Sequence, residues 1–126
     1  GEHGFFLMIE GSQIDWAGHG NQVKYMITEM NDFEKAVGSV LDFAEQDGET
    51  LVIVTADHET GGLTLVKGDP ETGELRTHFS STGHTPVMVP VFAYGAGAGE
   101  FSGVYENTAI FHKIIELLSM KPVELE

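Results

Sequence analysis

Leu51-Val52-Ile53-Val54-Thr55-Ala56-Asp57-His58 is an apolar, branched run that ends on a carboxylate and an imidazole side by side. Such a short, continuous apolar stretch predicts a strand buried on both faces, the pattern of a parallel sheet. The turn at the carboxyl end of such a strand is where α/β proteins place their chemistry. Asp57 and His58 offer one hard oxygen and one imidazole nitrogen there, a mixed pair that suits zinc. Alone the pair is a weak signal, because Asp also closes strands as a turn former.

Upstream, Phe5-Phe6-Leu7-Met8-Ile9 carries the same buried-strand signature and is closed by Glu10-Gly11-Ser12. A Gly-containing loop is expected from there to Asn21. The pattern then turns helical as far as Asp47, with Phe33, Val37, Val40, Leu41 and Ala44 at helical spacing. Asn31 and Glu34 stand as a capping box, which predicts a break between two helices at Asn31-Asp32. Gly48 ends the second. Strand, helix and strand in succession predict a βαβ unit with parallel strands and a right-handed crossover.

Downstream, Leu63-Thr64-Leu65-Val66 and Leu75 to Ser80 flank a turn-rich stretch and predict a hairpin. Val87 to Tyr94 reads as another strand, with Pro90 counting against a central place in a sheet. After a glycine-rich loop, a last helix is expected from Asn107 to Met120. The expected fold class is therefore α/β: a mostly parallel sheet flanked by helices, an αβα sandwich, with a β-hairpin insertion near 63–81.

The chain has 126 residues, enough for one domain with a modest core. Its net charge of −14 argues against nucleic acid and anionic membrane surfaces, which need clustered Lys or Arg. No apolar run is long enough to span a bilayer, and the absence of Cys excludes disulfides and thiolate sites. Gly1 is not an initiator and the chain enters an apolar run by Phe5, so a fragment is expected.

Glu10, Asp15, His19, Asp57, His58 and His84 all fall at expected strand ends or in the loops beside them. Taken singly, each has a bland reading. Asp15 can be a turn former, and His19, between Gly18 and Gly20, a loose loop residue. Glu10 is harder to dismiss, because a carboxylate directly after an apolar strand is expected to be partly buried and to need a partner. Gathered on one sheet edge by the βαβ topology, the set points to a metal site. His3, His78 and His112 lack such a setting, and His112 reads as surface.

Glu10-Gly11-Ser12-Gln13-Ile14-Asp15-Trp16-Ala17-Gly18-His19 and Thr55-Ala56-Asp57-His58-Glu59-Thr60-Gly61-Gly62 together resemble the alkaline phosphatase family. Thr82-Gly83-His84-Thr85 and Phe92-Ala93-Tyr94-Gly95 continue the match in order. A strand closed by Asp-His alone would also suit cofactor-independent phosphoglycerate mutases, which typically continue Gly-Asn where this chain has Glu59-Thr60. The resemblance implies residues 1–126 as the C-terminal part of one catalytic domain. It implies Asp15, His19 and His84 as ligands of a first zinc, Asp57 and His58 of a second zinc, and Glu10 of a magnesium. Those donor types suit those ions.

The resemblance further implies hydrolysis of phosphate monoesters through a phosphoserine intermediate, in a periplasmic or secreted homodimer. In the family, the nucleophilic serine and the arginine that clamps phosphate lie upstream of these motifs. Ser12, Ser80 and Ser81 do not stand in the nucleophile's motif, and Arg76 sits in the expected hairpin. The chain alone is accordingly expected to be inactive and to self-associate through an apolar edge. Two alternatives remain at this level: another member of the same superfamily, a phosphomutase or sulfatase, and a non-catalytic acidic metal-binding module.

Overall fold

The computed structural model describes residues 4–119, so Met120, the expected end of the last helix, lies outside the described residues, as does His3. The described chain divides into two compact units. One comprises residues 4–35 with His58–Val87; the other comprises Ala36–Asp57 with residues 88–119.

In the second unit, β1 (Leu51–Thr55) pairs antiparallel with β6 (Val91–Gly95), in register from Leu51 opposite Gly95 to Thr55 opposite Val91. The expected strand from Val87 is thus shortened to begin just after Pro90. Proline has no N–H to donate to a ladder and fits only at its margin. The Pro90 carbonyl instead accepts a bond from the Thr55 hydroxyl at 3.2 Å. Gly95 has φ +92°, and a Cβ there would fall 2.2 Å from the Thr50 carbonyl oxygen, so glycine is required at this strand end. A short 3₁₀ turn (Ala98–Phe101) and α3 (Ala109–Leu117) follow. Lys113 ties them, donating to the Glu100 carbonyl at 2.7 Å. Val52, Ala44 and Phe101 are the buried apolar residues of this unit among those described.

In the first unit, Phe5–Ile9 forms no strand, and its side chains are 48–80% exposed. The βαβ unit is therefore corrected: among the described residues all three sheets are two-stranded and antiparallel. A strand buried on both faces needs neighbours on both sides to satisfy its backbone. The sequence pattern reports that demand without supplying the neighbours.

Two further expectations change. Residues expected as a loop form α1 (Gln13–His19), with Ala17 and Gly18 buried. α2 (Val23–Asp47) runs unbroken through Asn31-Asp32. The Asp32 carboxylate there accepts from Lys35 at 2.8 Å, three residues on, so the polar pair lies on the exposed face of a continuing helix.

The hairpin is present. β3 (Thr64–Gly68) pairs with β4 (Leu75–His78), with a bulge between Leu65 and Lys67. Its turn is set by Asp69, whose carboxylate accepts from the amides of Glu71 (2.9 Å) and Thr72 (3.3 Å). Those bonds hold the Asp69 carboxyl below the usual carboxylate range. A last pair of two-residue strands, β2 (Glu59–Thr60) and β5 (His84–Thr85), lies in the same unit. Among the described residues, no helix is long and apolar enough to cross a membrane.

Candidate metal centre

Three backbone elements set the site. On α1, Asp15, Gly18 and His19 stand at positions i, i+3 and i+4, so they share one face of the helix. On the β2–β5 ladder, Thr60 lies opposite His84 and Glu59 opposite Thr85. Successive strand residues point to opposite faces, so Thr60 and His84 look one way, Glu59 and Thr85 the other.

The two faces do different work. On one, the Glu59 carboxylate accepts from the amides of Gly62 (2.9 Å) and Leu63 (3.3 Å) and from the Thr85 hydroxyl. It is thereby saturated as an acceptor and locks the following turn to β5. On the other face, α1 docks so closely that a Cβ on Gly18 would meet the Thr60 carbonyl oxygen at 2.9 Å and its Cβ at 3.1 Å. Only glycine permits this approach, and it brings Asp15 and His19 up to His84.

The result is a convergence of ligand atoms. Asp15, His19 and His84 each offer one within 4.8 Å of the others. Nε2 of His19 lies 3.5 Å from one Asp15 carboxylate oxygen, Nε2 of His84 lies 3.7 Å from the other, and the two nitrogens are 3.2 Å apart. His19 Nδ1 is 2.6 Å from the Thr82 carbonyl oxygen. A carbonyl only accepts, so Nδ1 carries the proton and Nε2 of the neutral ring presents its lone pair to the cluster. One carboxylate and two imidazoles are a donor set that fits zinc, with a position left open beside three protein ligands.

His58 stacks on His84 with ring centroids 3.5 Å apart. Alternation explains this, since His58 lies two residues from Thr60 and so on the same side as His84. Glu10 is exposed and outside the convergent group, contrary to the expected partial burial, because the described run Phe5–Ile9 before it forms no strand. Asp57, the residue before His58, is also exposed and is not among the three converging residues. Trp16, beside Asp15, is 66% exposed. Thr60, Thr82 and Glu59 were not singled out from sequence. The local signal was the alternation around Asp57-His58, which assigns Glu59 and Thr60 to opposite faces once a strand is known to continue there.

A family model described as alkaline phosphatase matches residues 1–76. Alkaline phosphatase 4 of Bacillus subtilis (strain 168) is 56% identical, over 91% of this chain and 40% of that protein. A mutant of the alkaline phosphatase from the Antarctic bacterium TAB5, with magnesium bound in its M3 site, is 50% identical. It superposes with a TM-score of 0.85 over 94% of this chain and 37% of that one. A cold-active alkaline phosphatase from Shewanella sp. is 28% identical, with a TM-score of 0.86 over 93% of this chain and 46% of that one. The chain spans less than half the length of each of these relatives.

Proposed function

Because the chain belongs to the alkaline phosphatase family, we propose that it contributes metal ligands to the hydrolysis of phosphate monoesters, and that Asp15, His19 and His84 hold a zinc ion. The observation that carries this reading is the convergence of one carboxylate and two imidazoles on a common point, with the His19 tautomer already set for ligation. When bound, zinc supplies a Lewis acid for phosphoryl oxygens. The chain's own part is positional. α1 presents Asp15 and His19 from one face, the ladder presents His84, and the Thr82 carbonyl keeps the His19 proton on Nδ1.

By the same family reading, Asp57 and His58 are ligands of a second zinc and Glu10 of a magnesium. The phosphoserine route, a homodimer and a periplasmic or secreted location belong to this proposal as well. Magnesium bound in the M3 site of the TAB5 mutant supports the choice of magnesium, because that protein shares half of its matched residues with this one.

Zinc titration by calorimetry tests the first site. Wild type is expected to bind tightly, and His84→Ala to bind at least about tenfold more weakly, since losing a side chain that touches the metal costs no less than losing one that only orients such a side chain. Unchanged affinity in His84→Ala would overturn the assignment.

A further inference from the structure

Thr60 is the buried polar side chain among the described residues, at 9% exposure, and it touches two of the residues discussed above. Its hydroxyl donates to Asp15 Oδ1 at 2.5 Å and lies 3.2 Å from His58 Nδ1. A hydroxyl has one proton to give. With that proton committed to the carboxylate, the second contact is favourable only if His58 Nδ1–H donates to Thr60 Oγ1. The result is a directed chain from His58 through Thr60 to Asp15.

We propose that Thr60 is a positioning residue, whose hydroxyl orients the Asp15 carboxylate and, through the same oxygen, keeps the proton of His58 on Nδ1 so that Nε2 is left as the ligating nitrogen. The role rests on the zinc reading of Asp15, His19 and His84. It also makes the two halves of the site depend on one another, because a single oxygen serves a ligand from each. The Thr60 methyl has a separate duty: Cγ2 would lie 3.1 Å from a Cβ on Gly18 and so sets how closely α1 can approach. Valine preserves that shape and removes the hydroxyl; serine keeps the hydroxyl and drops the methyl.

The experiment compares wild type, Thr60→Val and Thr60→Ser, first metal-free by ring ¹⁵N NMR at about pH 8, where imidazole is neutral, then by calorimetric titration with zinc. Wild type and Thr60→Ser are expected to show His58 protonated on Nδ1. Thr60→Val is expected to lose that preference and to bind zinc about 10- to 100-fold more weakly, with Thr60→Ser restoring affinity to within a few-fold. The proposal is overturned if metal-free wild type carries the His58 proton on Nε2. It is equally overturned if Thr60→Val keeps both tautomer and affinity. Should Thr60→Val fail to fold, the wild-type spectrum decides by itself. A wild type that shows the expected tautomer and binds no zinc would remove the metal-centre reading and leave the hydrogen-bond relay standing.

Discussion

Phe5–Ile9 and the cluster of Asp15, His19 and His84 lie in one unit of the molecule, with Asp15 and His19 shortly after the run in sequence, and they are held by opposite means. The apolar run has an unambiguous strand pattern, yet it joins no sheet and keeps 48–80% of its side-chain surface exposed. The cluster has a weak pattern, three polar residues in Gly-containing surroundings, yet its atoms are set by contacts from Thr60, Thr82 and the Gly18 approach. The difference is one of range. A helical i, i+4 pair, a two-residue ladder and a carboxylate saturated by backbone amides are local devices that this chain completes from its own residues. A buried parallel strand depends on long-range neighbours, and its apolar side chains stabilise nothing until those neighbours cover them.

The strongest way to break this contrast is to charge the apolar run. Phe6→Asp with Met8→Asp places two carboxylates in a segment whose exposed apolar surface is expected to drive self-association. Light scattering is expected to show self-association of the wild type reduced at least about tenfold, since two large apolar side chains are worth several kcal/mol of buried area. Zinc affinity is expected to be unchanged. Loss of zinc binding in this variant would show that the two regions are coupled and would erase the distinction.

A smaller effect sharpens it. Gly18→Ala puts a methyl 2.9 Å from the Thr60 carbonyl, in a place where backbone rather than a flexible side chain must give way. Overpacking of this kind costs about 1–3 kcal/mol, and the same displacement should weaken zinc binding. Gly38→Ala is the control: it lies within α2 with nothing within 4 Å of its Cβ, so it is expected to stabilise by about 0.5–1 kcal/mol. Thermal unfolding reads both signs. Equal effects would mean that the close approach of α1 to β2 is not what positions the site.

Legibility in the sequence follows the same division. The β3–β4 hairpin was legible because its turn chemistry is local, an Asp whose carboxylate caps the next amides and a Gly at φ +71°. The site residues that the structure gathers were legible as residue types, while the helix that aligns Asp15 with His19 was not. Its glycine looked like a loop signal and proved to be the point of closest packing. The break expected at Asn31-Asp32 failed for a related reason: a capping pattern competes with helix continuation, and continuation won where the polar pair could stay exposed. The parallel sheet failed because the apolar pattern of a strand states that it wants to be covered, and says nothing of which residues will do so. Here β1 found its partner in β6, antiparallel and from the far side of the hairpin.

The hairpin turn offers the finest test of local self-sufficiency. Asp69 lies below the usual carboxylate range, first because the Glu71 amide donates to it and next because the Thr72 amide does. A carboxyl depressed in the fold stabilises that fold above the unfolded value of about 3.9 and loses the contribution as pH falls through the depressed value. Amide exchange at Glu71 and Thr72 is therefore expected to be steady from neutral pH down to about pH 4 once corrected for intrinsic rates, and to lose protection below it. The change should be no more than a few-fold, because water competes freely for an exposed carboxylate. Asp69→Asn keeps an acceptor at the same place but cannot ionise, so its exchange should show no such step. A step that survives in Asp69→Asn would move the origin of the pH dependence away from the turn. It would also show that even this hairpin leans on charges beyond its own residues.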